Sequence, residues 1–552
     1  MALAFLLPAA ACGGGGSSTG GGSEETALRI VVRDAATGEA TPARVSVVDA
    51  GGASHVPDGA LPIPAGECEG PPSPDAVETP GIFDPASGTT QFYVTGPIDV
   101  SLPPGRYRVT AQKGLEYEQR SVAVDLVQGE RPSVEIELPR WTHAAADGWY
   151  SADGHLHIAR REEAVDPVLS QWMEAEDLNV ANLLQMGSYH GVVAAEQRSF
   201  GEASVHQKGD TIVASAQENP RAWILGHGIV LGARSYLDAP DGYLVYRPIW
   251  EQARAQGALS GYAHWGGAGL LLDAPSGLID FIEVLQFDVS DPAALYEMLD
   301  LGLRLAPTAG TDFPCWPAGP PGTQRFYTRV EGPLTYAAWL DAVRAGATFV
   351  TNGPMLEFTI DGVGIGGDLA LDAPKLVRVA ASVRFDPARD DVARLELVSE
   401  GHVAHVEDER SEPGRIRFEA VREVEESTWF ALRASGTKVD AMPSMLDGGP
   451  RGSNAHTGAI FVHVAGTPPL GERPRAAAVS DAALSELGRL EGRFSEEAIG
   501  RLRGPLPEAV TGITADVARR DRRAVLRKIA EARQFYDAVA SGSGGRVVGS
   551  SP

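Results

Sequence analysis

Between residues 26 and 140 apolar and polar positions alternate with a period of two, in runs such as LRIVVRD, ARVSVVD, SVAVDL and SVEIEL. That period sends successive side chains to opposite faces and predicts half-buried strands. Turn-forming links separate the runs: AATGEATP follows the first, and Pro103-Pro104-Gly105 precedes RYRVTAQ. The Pro/Gly-rich stretch from 57 to 81 reads as a long loop. The pattern changes over 141–355, where apolar strand-like runs alternate with helical stretches. DPVLSQWMEAEDLNVANLL reads as a helix running into a strand. PLTYAAWLDAVRAG reads as a helix closed by Gly346, with Arg344 in its last turn. Alternation of this kind predicts an α/β unit, a parallel β/α barrel. Strands return over 356–466, in LEFTIDGV, LVRVAASVRF, RLELVSE, RIRFEAV, WFALRAS and AIFVHVAG, and suggest a second β-sandwich-like domain. Residues 467–552 read as helical, with Val525, Leu526, Ile529 and Ala532 on one face.

At 552 residues the chain exceeds what one core holds, so several domains are expected. The formal charge of −26 repels a phosphate backbone and argues against a nucleic-acid partner. The basic ARRDRR stretch near 518–523 reads as a solvated helix face. No apolar run is long enough to predict a spanning helix.

The first residues add a location. MALAFLLPAAA is a short apolar run ending in small residues; Cys12 follows, then the tether GGGGSSTGGGSEE. Residues 1–25 resemble a bacterial lipoprotein signal and linker. The resemblance implies a lipidated Cys12, attachment to a membrane through that lipid, and a place in the cell envelope, periplasmic or surface-exposed. Two further cysteines, Cys68 and Cys315, lie in different expected domains. They are read as unrelated buried thiols, with a disulfide left open outside the cytoplasm. Residues 26–140 resemble the carboxypeptidase-regulatory-like β-sandwich through Leu102, Pro103, Gly105 and Tyr107.

Candidate chemistry concentrates in 141–355. Asp153-Gly154-His155-Leu156-His157 places two imidazoles on one side of a strand end, which is half of a site for a borderline metal. Asp153 shares that side and is a candidate to orient a ligand histidine. Further candidates recur near separate strand-like runs: Glu218 in TIVASAQEN, His227 in ILGHGIVLG, His264 in YAHWGG, Glu283 in FIEVLQF and Asp312 in AGTDF. Strand ends of a parallel barrel converge on one face, so these residues are expected to meet.

These motifs, with GWYSADGHLH, EAEDLNVANLL and the closing GATFVTNGPMLEFTIDG, resemble the PHP metallohydrolase superfamily, in its CehA/McbA-type branch. The resemblance implies a distorted parallel β/α barrel with metal at the strand ends. It implies that His155, His157 and Asp312 bind one ion. Glu218 then bridges to a second ion held by His227 and His264. Glu283 matches a recurrent acid that orders the site or acts in catalysis, and His190 in MGSYHGV is a candidate acid for the leaving group. One or two divalent ions (zinc, manganese or iron) are expected. A third is not, because Ile158-Ala159-Arg160-Arg161 and Phe313-Pro314 stand where its histidines would be. Cys315 is a candidate soft ligand, with a spectator thiol the preferred reading. The expected activity is hydrolysis of an ester, carbamate or related bond of a small molecule by activated water. Alternatives are a phosphoesterase, with Arg160, Arg161 and Arg325 as candidate phosphate-binding groups, and a surface binding protein whose barrel has lost catalysis.

Overall fold

The computed structural model describes residues 26–62, 66, 68, 80–187, 193–239, 242–315, 318–436, 452–501 and 515–542. The protein is mixed α/β with more strand than helix. The alternating runs near the N-terminus form strands as their period requires. A three-stranded sheet of Ile98–Ser101, Ala27–Asp34 and Ser133–Leu138 faces a five-stranded sheet. In the latter, Ala43–Asp49 pairs with Thr89–Val94 and Gly105–Gln112. Leu28, Ile30, Val45, Val47, Val109 and Ile136 fill the space between them. The LPPGRY turn is fixed by its tyrosine, whose hydroxyl donates to the Pro103 carbonyl at 2.8 Å.

In the middle of the chain, the strand Val180–Met186 pairs in parallel with Trp149–Leu156 and with Thr211–Ala222. Phe281–Gln286 pairs in parallel with Leu259–Tyr262 and Ala306–Ala309. The segment after Ala309 returns to the first strand: Asp312 N–H donates to the His155 carbonyl at 2.8 Å, and His157 N–H to the Phe313 carbonyl at 2.7 Å. Gly226–Leu231, in contrast, is antiparallel to both its neighbours. The sheet is therefore mixed, where the strand–helix alternation predicted parallel pairing throughout. Only Trp223, Ile224 and Leu225 join Thr211–Ala222 to Gly226–Leu231. A parallel crossover needs a dozen or more residues, so this connection can only close a hairpin.

The later strands are not set apart by a linker. Thr348–Thr351 pairs with Arg325–Arg329 on one side and with Asn454–Thr457 on the other, so one sheet runs from the central region into the C-terminal strands. Lys375–Arg384 and its partners form a second sheet there, compatible with a sandwich, over a core that includes Leu356, Val377, Val379, Leu397, Leu432 and Val462. The C-terminal helices Pro474–Arg493 and Ala515–Ala540 share the core of the central region. Val525, Ile529 and Ala532 are buried on the expected face, with Leu526 half-buried. Asp521 ties this helix to the centre by accepting from Leu244 N–H at 2.9 Å. Among the described residues no helix is long and apolar enough to cross a membrane.

The N-terminal module is docked against the central region. Glu176 accepts from Arg44 at 2.6 Å and from the Tyr93 hydroxyl at 2.5 Å. Ile82 and Tyr93 join one apolar cluster with Leu156, Ile158, Trp172 and Phe313.

Candidate metal centre

The strand ends bring together six of the expected ligands and Glu283. His155 lies in Trp149–Leu156 and His157 just beyond it; Glu218 lies in Thr211–Ala222, His227 in Gly226–Leu231, and Glu283 in Phe281–Gln286. His264 follows Leu259–Tyr262 and Asp312 follows Ala306–Ala309. All are buried except His264, whose side chain keeps 21% of its exposure and marks the open side. His190 lies outside the described residues.

Two groups among these residues could hold a metal ion: His155, His157 and Asp312, and His155, Glu218 and His264. In the first, the Nε2 atoms of His155 and His157 are 3.1 Å apart. Asp312 Oδ1 lies 3.3 Å from the former and 2.9 Å from the latter. Glu218 reaches toward both groups, with Oε2 3.5 Å from His157 Nε2 and Oε1 3.8 Å from His264 Nε2.

The partners behind the rings decide which nitrogens face inward. His157 Nδ1 lies 3.1 Å from the Leu184 carbonyl. A carbonyl only accepts, so Nδ1 carries the proton and Nε2 presents a lone pair. His155 Nδ1 lies 3.1 Å from both oxygens of Glu283, with the same consequence. Gln286 Oε1 holds His264 Nδ1 at 2.6 Å. Three rings thus turn Nε2 toward the centre, each fixed from behind as metal-binding histidines usually are. His227 differs. Its Nδ1 faces Glu218 Oε1 at 2.6 Å, and it stands outside both donor groups while touching Glu218 and, at 3.2 Å, His264.

The field of the site favours positive charge at this point. Burial pulls the His155 ring down, but Glu283 and Asp312 outweigh it and push it up to about 10. Burial works against the Asp312 and Glu218 carboxylates too. The His155 and His157 rings nevertheless hold Asp312 below its ordinary value, and Arg221 and His227 hold Glu218 well below. His227 is lowered to about 4 by its burial. Glu218 Oε2 is buried without a hydrogen bond of good geometry, although Arg221 Nε lies 2.9 Å away. A donor set of imidazole nitrogens and carboxylate oxygens suits zinc, manganese or iron.

Local irregularities aim these side chains. The register shifts between Glu218 and Arg221 on one strand, between Glu283 and Leu285 on another, and opposite Asp153–Leu156 on a third. An extra residue in a strand breaks the alternation, so side chains an odd number of positions apart can share a face. Glu218 with Arg221, and Glu283 with Gln286, meet the site in this way. His264, Trp265 and Asp312 adopt left-handed backbone conformations, with φ of 52°, 63° and 61°. For residues other than glycine such conformations cost energy and concentrate at functional sites.

Arg221, Gln286 and Trp223 were not singled out by sequence reasoning. The exposed Trp223 ring packs 5.0 Å from that of His227, and Phe287 stacks on His264. Three expectations need correction. Asp153 does not orient an imidazole: its carboxylate accepts from the backbone of His155, Thr311 and Gly322 and from the Thr311 hydroxyl. It ties the Asp312 loop to the first strand, and burial pushes it up to about 6. Cys315 is neither ligand nor free thiol but forms a disulfide with Cys68. Arg160 is spent on Asp166 and Ser204, Arg161 on Glu196, and Arg325 on the carbonyls of Glu176, Asp177 and Gly322. Comparison of the chain with models of known protein families, with curated proteins and with solved structures yields no match.

Proposed function

We propose that this cluster binds one or two divalent ions (zinc, manganese or iron) and that the protein is a metal-dependent hydrolase acting on an ester, carbamate or related bond of a small molecule. The observation that carries the reading is the inward-facing Nε2 pair of His155 and His157, 3.1 Å apart, with the Asp312 carboxylate beside both. A divalent ion bound there supplies Lewis acidity, which lowers the pKa of water and polarises a scissile carbonyl. The protein's own groups do the rest. Glu283, the Leu184 carbonyl and Gln286 fix the three rings. Glu283 acts through His155 and is a positioning residue in this scheme. Glu218 belongs to the second donor group and has its other oxygen 3.5 Å from His157 of the first, so it is suited to serve both. Trp223 offers an apolar face to the body of a substrate at the open side. The ring of strands is read as the distorted β/α barrel of the PHP type, CehA/McbA branch, which the motif spacing supports. The signal-like residues 1–25 and the Cys68–Cys315 bridge support a lipid-anchored place in the cell envelope, where disulfides persist.

The test is metal analysis of the purified protein, coupled to turnover of aryl carbamates, carboxylesters and phosphoesters before and after chelation. The expected result is one or two ions per chain and activity that chelation removes and the ion restores. Protein that takes up no ion would refute the hydrolase and favour a binding role. A second reading, a phosphoesterase, rests on Arg221, whose guanidinium lies at the site. It requires turnover of phosphoesters that Arg221→Gln selectively weakens.

A further inference from the structure

The N-terminal module meets the chain beside the candidate ligands at two residues, Gly66 and Cys68. Gly66 pairs as an antiparallel bridge with Ile158, the residue after His157. A side chain at Gly66 would sit 2.7 Å from the His157 carbonyl and collide with the Pro314 ring. Two residues on, Cys68 is bonded to Cys315, from a position 247 residues away in sequence. Cys315 N–H in turn donates to the Asp312 carbonyl at 2.7 Å. Beneath this contact, Leu61 and Ile82 of the module pack with Ile158 and Phe313. Gly66 and Cys68 therefore touch both chain segments that carry His157 and Asp312, and Cys68 is covalently locked to the second.

Asp312 is the ligand in most need of such support. It stands on a loop in a left-handed conformation, with φ of 61°, instead of inside a strand. Asp153 holds the loop on one side through Thr311. On the other side Phe313 is bridged in parallel to Leu156 and its carbonyl accepts from His157 N–H at 2.7 Å, and beyond it Cys315 lies outside the named strands. The disulfide adds a covalent restraint to that pairing, three residues past Asp312. Metal affinity depends on ligands held within a few tenths of an ångström of productive geometry. A brace on the loop thus acts on the ion without touching it.

Resting on the metal-site reading above, we infer that Gly66 and the Cys68–Cys315 bridge are positioning residues of the metal centre, through which the N-terminal module holds Asp312 and His157 in register.

The experiment compares the full chain with Cys68→Ala/Cys315→Ala and, with the bridge intact, Gly66→Ala. Each is titrated with cobalt(II). Affinity, the visible absorption spectrum of the bound ion and melting temperature are recorded. Tyr93→Phe, which keeps the ring in its apolar cluster and loses only the hydroxyl bond to Glu176 at the same domain contact, is the stability control. The double variant and Gly66→Ala are expected to bind cobalt about 10–100-fold more weakly, the range typical of losing a partner that orients a ligand. Their spectra should shift, whereas Tyr93→Phe should lower melting and leave the spectrum alone. If the double variant fails to fold, Gly66→Ala alone decides. Parent-like affinity and spectrum in the bridge-free protein, or in Gly66→Ala when only that variant folds, would overturn the inference and leave the metal site standing. A spectral change in Tyr93→Phe equal to theirs would also overturn it. A parent that binds no cobalt would overturn both.

Discussion

Replacing Glu283 by Gln tests whether the site works as an ordered metal centre. Both carboxylate oxygens lie 3.1 Å from His155 Nδ1, and the residue is buried. At that separation a full charge pair in an effective dielectric of about 20 interacts by about 5 kcal/mol, which is an upper bound. The ring carries only part of an ion's charge, so the realised effect is smaller. Orienting partners of ligand histidines typically contribute about 10–100-fold in affinity or activity, which is about 1.4–2.7 kcal/mol. Glutamine keeps the shape and one acceptor oxygen, so the bond to Nδ1 survives and the negative charge goes. A second contact, from His264 N–H to Glu283 Oε2 at 3.3 Å, loses its charged acceptor. The assay is competition for zinc with a chromophoric chelator, run beside kcat, KM and thermal melting. The expected result is a loss of affinity and kcat of about 10–100-fold, with KM and melting much less changed. Equal zinc affinity and equal kcat in parent and variant would refute the reasoning, because the one carboxylate behind His155 would then be without influence on what His155 holds.

Asp312→Asn removes a donor itself, so turnover should fall by at least as much as in Glu283→Gln; equal turnover at equal metal occupancy would make Asp312 structural and place the chemistry elsewhere. Cys12→Ser should release the protein from membranes, and a variant that still fractionates with them would refute lipid attachment. His456, which belongs to neither candidate donor group, gives a pH prediction. It is buried between the Tyr296 hydroxyl and the Thr457 carbonyl, and burial lowers it to about 3. Below the ordinary histidine value the unfolded chain binds a proton that the folded chain refuses. The stability tied to the neutral ring is therefore full above about pH 6.5 and is lost as pH falls toward 3, by up to about 1.4 kcal/mol per unit. Urea unfolding at pH 7 and pH 5 should show a smaller acid loss for His456→Gln than for the parent; identical slopes would contradict the burial argument.

Element identity was legible wherever a period was sustained. LRIVVRD, ARVSVVD, LVRVAASVRF and RIRFEAV became strands. The stretch closed by Gly346 became the helix Tyr336–Arg344. Pairing was less legible. Nothing in ILGHGIVL tells a parallel strand from the second arm of a hairpin; the short link Trp223–Leu225 does, and it looks like one more apolar run. Domain limits were blurred for a related reason. Apolar faces on Ala515–Ala540 announce burial but not against what, and the partner turned out to be the central core, 277 and 265 residues earlier in sequence at Leu244 and Leu271. The disulfide was hidden likewise, since its two cysteines meet only because one module lies across another.

The site divides along a different line. The meeting of His155, His157, Glu218, His264 and Asp312 was legible because each lies at or near the end of an apolar run, and strand ends converge. The groups that orient them were not, and the register shifts explain why. A reader who assumes a period of two places Glu283 and Gln286 on opposite faces, as it does Glu218 and Arg221. An inserted residue in each strand turns both pairs to one side. The strand Phe281–Gln286 can then orient two rings that come from two other strands, His155 through Glu283 and His264 through Gln286. A regular strand could not do this, since its same-face positions at 283, 285 and 287 would offer Leu285 and Phe287 instead. The irregularity is thus what lets one strand supply two polar supports three residues apart. Its position beside Glu283, and not elsewhere along the strand, is what brings both supports to the residues that could hold a metal ion.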